Sequence, residues 1–130
     1  MPPALLGYMI VFFGGGMGTM LRHGVNRLAA VMVADFPAGT MLINILGCFV
    51  MGLFTSWFAF RGEDTTQHMR LLLTTGLLGG FTTFSAFSLD AALLWQRGEV
   101  AQAAFYVIGS VVISLVAVFA GMALMRQVLS

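Results

Sequence analysis

Four stretches of this chain carry no charged side chain: Met1–Leu21, Phe36–Phe60, Leu71–Leu89 and Val100–Met125. A helix needs ~20 apolar residues, within a range of roughly 17–25, to cross the hydrocarbon core of a bilayer. All four are long enough. The expected fold is an all-α membrane protein with four transmembrane helices, at roughly 4–22, 37–60, 70–95 and 100–126, forming one domain over 1–130. Composition agrees. Charged residues make up 8% of the chain and the mean hydropathy is +0.96, where a soluble domain carries about 25% charge.

The first run lacks a basic leader and a small-residue cleavage site, and its Gly-rich sequence continues, so it reads as a span rather than a signal peptide. Outside the spans lie only Arg22–Asp35, Arg61–Arg70 and Asp90–Glu99, too little for a soluble domain. Cys48, the one cysteine, falls in the second run and reads as a small buried hydrophobe. Every basic residue is arginine and none are clustered, which excludes a polybasic lipid-binding tail and a nucleic-acid surface.

Cytoplasmic loops normally hold the excess of positive charge. Here Arg61, Arg70 and Arg126 fall on one side, and Arg22, Arg27 and Arg97 on the other. An unbiased chain has little to choose one insertion over the other, so insertion both ways and pairing as an antiparallel homodimer is expected; the alternative is that some arginine is buried or that another factor sets the orientation. Gly14-x-x-x-Gly18, Gly76-x-x-x-Gly80 and Ser110-x-x-x-Ser114 offer small-residue faces for close helix contact, between subunits or within one.

Polar groups inside lipid are costly and tend to mark function. Asn44, in the second span, can meet an ion or bond across helices. Tyr106, Ser110 and Ser114 share one face of the fourth span, although serine there often bonds its own i−4 carbonyl. The carboxylates Asp35, Glu63, Asp64, Asp90 and Glu99 all avoid the span centres. That argues against a proton-coupled cation exporter and against an acidic cation pore. His23 and His68 fall in loops, and no catalytic cluster can be assembled, so the chain is not read as an enzyme.

The segment "GGFTTFSAFS", Gly79–Ser88, sets Phe81, Phe84 and Phe87 among hydroxyls after two glycines. Hydroxyls, an amide and the positive edges of phenyl rings suit a small anion, and a helix break at Gly79–Gly80 would have to be buried or line a cavity. The alternative is that the glycines permit tight packing and the rings face lipid. Three motifs bear on the choice: "GGGMGTMLR", "GTMLINILGCFVMG" and "GLLGGFTTFSAF".

In these motifs, in their order, and over essentially its whole length, the chain resembles the Fluc, or CrcB, fluoride channels. The resemblance implies a passive fluoride-selective channel in the bacterial plasma (inner) membrane, built as an antiparallel, dual-topology homodimer with two pores and surrounded by lipid. It implies pore roles for Asn44, Thr83, Phe84, Ser85, Phe87, Tyr106, Ser110 and Ser114, and a place for Arg22 near the aqueous entrance. It also implies a central structural sodium held by the backbone carbonyls of Gly79 and Thr82 at a break in the third helix. Two departures stand out: His23 replaces a common aromatic, and Ala86 a common threonine. The competing classes are a small dual-topology drug exporter and a membrane accessory subunit without transport.

Overall fold

The computed structural model describes residues 2–61 and 67–130. Glu63 and Asp64, which the sequence puts away from the span centres, lie outside these. Helix α1 covers Pro3–Met32 and α2 Ala38–Arg61; α3 is the single turn Gln67–Arg70. A wider π-helical stretch, Leu71–Leu78, leads into the short α4, Gly79–Phe81. Helix α5, Phe84–Gln96, and α6, Val100–Leu129, complete the chain. Among the described residues, four helical segments are long and apolar enough to span a membrane, the third running Gln67–Gln96.

Helix α1 outruns its expected end. Arg22–Met32 continues the helix because no proline interrupts "RHGVNRLAAVM" and most of its residues are good helix formers. It stops before Phe36–Pro37, where proline pushes the preceding residue out of helical geometry. At about 1.5 Å per residue, α1 and α6 are each about 45 Å long, more than the ~30 Å hydrocarbon core. Their ends therefore extend into the headgroups or the helices tilt.

The packing fixes directions. Gly7 lies against Leu71, Gly14 against Leu72 and Gly76, and Gly18 against Leu77 and Phe81, so α1 and the third span run parallel. In the same way Gly52 meets Val118, and the Ser56 hydroxyl donates to the Met122 carbonyl at 3.1 Å, so α2 and α6 run parallel. This is the pattern of four alternating crossings. The two Gly-x-x-x-Gly faces meet each other within one chain. Side-chain carbon at Gly80 would overlap the Gly15 carbonyl, and at Gly18 the Leu77 carbonyl, so only glycine allows this approach.

Two apolar clusters hold the halves of the third span. Phe81 joins Ile43 and Leu78 before the interruption; Phe87 joins Leu94, Ala103 and Tyr106 after it. Phe84, between them, is 77% exposed. Large apolar side chains also line the outside, among them Phe12, Leu28, Ile108 and Phe119. A continuous apolar exterior of this kind fits hydrocarbon rather than water.

Candidate functional site

The helix break does not fall at the glycines. Gly79 is helical, with φ −61° and ψ −37°, and the chain becomes extended at Thr82 (φ −85°, ψ 157°) and Thr83 (φ −153°, ψ 123°). The glycines take the packing role instead, pressed on α1. What opens the helix is a contact from far away in sequence. Asn44 Nδ2 donates to the Thr83 carbonyl at 3.0 Å, and the Thr83 N–H donates to Asn44 Oδ1 at 2.9 Å. The side-chain amide thus pairs with both backbone groups of one residue.

That pairing frees particular carbonyls. In an unbroken helix the Thr83 N–H would donate to Gly79 and the Ala86 N–H to Thr82. The first goes to Asn44; the second goes to Thr83 Oγ1 at 3.2 Å, which caps α5. The Gly79 and Thr82 carbonyls therefore lose their helical donors. Such oxygens suit a small hard cation, and among the described residues no cluster of His, Cys, Asp or Glu offers a rival metal site. Two carbonyls from one chain would supply only part of the oxygen shell such an ion takes.

Thr82 turns its hydroxyl back to the Leu78 carbonyl at 2.9 Å, and its methyl fills the space left by Gly47 on α2. Arg22 reaches the same region: its Nε donates to the Gly80 carbonyl at 3.0 Å. This corrects its placement among the loop residues. Half-buried beside the interruption, it satisfies an oxygen that the broken helix strands and carries positive charge there. Removing it from the loop count leaves Arg27 and Arg97 opposite Arg61, Arg70 and Arg126. The sides still differ by only one.

Between α2, α5 and α6 lies an open cavity of about 260 Å³, lined by Asn44, Cys48, Thr82, Thr83, Phe84, Phe87, Ser110, Val111 and Ser114. The Phe84 and Phe87 rings stand 5.6 Å apart, tilted by 48°. Among the described residues, no carboxylate lines it. The hydroxyls of Ser110 and Ser114 are buried and, among the described residues, have no hydrogen-bond partner, so neither bonds its i−4 carbonyl. Two stranded donors in lipid are costly unless something visits them.

Other residues singled out from the sequence lie off this wall. Ser85 is exposed, its hydroxyl 3.3 Å from that of Thr83. Tyr106 is wholly buried, 5.2 Å from the Phe87 ring, and donates to Asp90 Oδ2 at 3.1 Å. Asp90 lies inside α5, a turn beyond Phe87, rather than in a loop. Its i+3 spacing from Phe87, on the side facing the polar stripe of α6, is the signal that would have found it. Cys48 is likewise signalled by its i+4 spacing from Asn44. Ala86 sits in the first turn of α5 and is not among the residues that line the cavity.

The family model described as "CrcB-like protein, Camphor Resistance (CrcB)" matches residues 9–122. The chain is 53% identical over 122 residues to the "Fluoride-specific ion channel FluC" of Rhodopseudomonas palustris (strain BisB5), covering 93% of this chain and 98% of that one. It is 56% identical over 123 residues to the protein of the same name from Methylobacterium nodulans, covering 95% and 98%. With "Fluoride-specific ion channel FluC 2" of Nitrobacter hamburgensis it shares 54% over 123 residues, covering 94% and 98%.

Proposed function

On the premise that this chain belongs to the CrcB-like family, we propose that it is a passive, fluoride-selective channel through which fluoride leaves the bacterial cytoplasm. The observation that carries the reading is the acid-free cavity of α2, α5 and α6, with its two stranded serine hydroxyls. Fluoride is a small, strong acceptor. Hydroxyl protons and the second N–H of Asn44, left over after Thr83 takes one, can replace part of its water shell. Phenyl edges at Phe84 and Phe87 add weak positive charge without widening the path. Arg22 supplies the attraction that draws anions toward the interruption.

The working unit in this reading is an antiparallel homodimer with two pores. Phe84 supports it: a ring 77% exposed at a polar interruption is left half-walled by one chain. The near balance of arginines supports insertion in both orientations. Two freed carbonyls per chain would give four across a two-fold axis, and Gly79 and Thr82 would hold a structural sodium there. The ion would supply fixed positive charge to oxygens that have lost their helical amide donors. Tyr106, tied to Asp90, backs Phe87 and sets its tilt.

No pump is needed. Hydrogen fluoride enters as a neutral acid and dissociates in a less acidic cytoplasm; an interior-negative potential then drives the anion out with about 2.3 kcal/mol per charge for each 100 mV. The test is efflux from proteoliposomes read with a fluoride electrode, with chloride loaded in parallel. Fluoride release without chloride release is expected. Vesicles that keep both ions would leave an accessory subunit as the better reading, and release driven only by a proton gradient would favour an exporter.

A further inference from the structure

Cys48 has no part in the reading above, yet it stands on the wall of the same cavity. It lies one helical turn beyond Asn44, so the two project from the same face of α2. On the adjoining helix α6, which runs parallel to α2, Ser110 and Ser114 make the same one-turn step and line the same cavity, Ser114 lying beside the Cys48 thiol. The cavity thus has two adjacent columns of weakly acidic protons: N–H and S–H on one helix, O–H and O–H on the other. Ser110 is 4% exposed and its hydroxyl is unpartnered among the described residues, which independently marks this wall as a place a ligand visits.

We propose that Cys48 forms part of the wall touched by the passing anion, and that a small thiol reagent closes the path there. This rests on the channel reading. A thiol is a weaker and softer donor than a hydroxyl. At this position it continues the column from Asn44 without holding the anion strongly, which suits a site the ion must leave. With methyl methanethiosulfonate, the Cys48 thiolate attacks the reagent's S-methyl sulfur. A Cys48–S–S–CH3 disulfide forms, the reagent's sulfur–sulfur bond breaks, methanesulfinate departs with the electron pair, and the thiol proton goes to buffer. The added group stands in the cavity between Phe87 and Ser114.

Cys48 is the chain's single cysteine, so the experiment needs no thiol-free background. Reconstituted protein is treated with methyl methanethiosulfonate, and intact mass counts the thiomethyl groups. Efflux is compared with the same sample untreated and after reduction with dithiothreitol. Labelled wild type is expected to lose fluoride efflux at least tenfold, recover on reduction, and label more slowly in saturating fluoride than in chloride. Cys48→Ser, read against its own untreated rate, is expected to ignore the reagent. As a position control, Val116→Cys in the Cys48→Ser background places a thiol on the exterior of α6, where labelling should leave that variant's own rate unaltered. Full labelling with undiminished efflux, a thiol that never labels in folded protein, or equal block through Val116→Cys each overturns the proposal. Untreated wild type that moves no fluoride instead defeats the channel reading itself.

Discussion

Asn44→Ala is the most informative single change because its cost can be built from two distances. The bonds at 3.0 and 2.9 Å between Asn44 and Thr83 vanish together. Each is worth about 1 kcal/mol net, and a backbone group left unpaired costs roughly 1–3 kcal/mol more. The Thr83 N–H then has one obvious acceptor in its own chain, the Gly79 carbonyl of a continued helix. Taking about 2–4 kcal/mol from the interrupted form shifts that balance by roughly 30- to 700-fold. Fluoride efflux from proteoliposomes should fall at least tenfold, with amide exchange at Thr83 slowed as it joins a regular helix. Asn44→Asp separates two effects: it retains an acceptor for the Thr83 N–H but sets a carboxylate against the Thr83 carbonyl and on an anion path. It too should slow efflux, without the change in exchange at Thr83. Wild-type efflux from a folded, dimeric Asn44→Ala protein would refute the idea that this amide holds the helix open.

Other expectations are separable. Phe84→Ile and Phe87→Ile should each abolish fluoride efflux with the dimer intact by gel filtration; normal efflux from both would remove the rings from the pore. Phe87 is buried within the chain, so truncating its ring to alanine is expected to cost about 3–5 kcal/mol, read by thermal melting in detergent. Replacing sodium with N-methyl-D-glucamine throughout purification should lower the melting temperature, restored by sodium but not by magnesium; indifference to sodium would remove the carbonyl site. Two lysines added beside Arg61 should fix one orientation and silence the protein expressed alone. Undiminished efflux from a single orientation would refute antiparallel pairing.

The four spans were legible because the absence of charge over about 20 residues has one structural solution in lipid. The polar stripe of α6 was legible for a similar reason: its spacing alone puts Ser110 and Ser114 on one face. The position of the break was not. Glycine signals permission to bend, but Gly80 is pinned in helical form by the Gly15 backbone, while Thr83 is drawn out by a residue 39 positions earlier. A contact of that range leaves no local trace. Arg22 reads from sequence as a loop residue because an arginine next to an uncharged run ordinarily marks its end; here the Gly80 carbonyl gives it a partner within the helix bundle. Phe81, Phe84 and Phe87 look equivalent by spacing. Only after the backbone changes direction do the outer two become anchors and the middle one a free face.

The diversion of two amides between Gly79 and Ala86 also has a bearing on engineering. It needs a short segment, one threonine cap and a single asparagine on a neighbouring helix, with a glycine to admit the threonine methyl. Those requirements are modest enough to transplant. A designed helical bundle given the same juxtaposition would acquire a ready-made pair of bare oxygens at mid-depth, with no acidic side chain needed to create it.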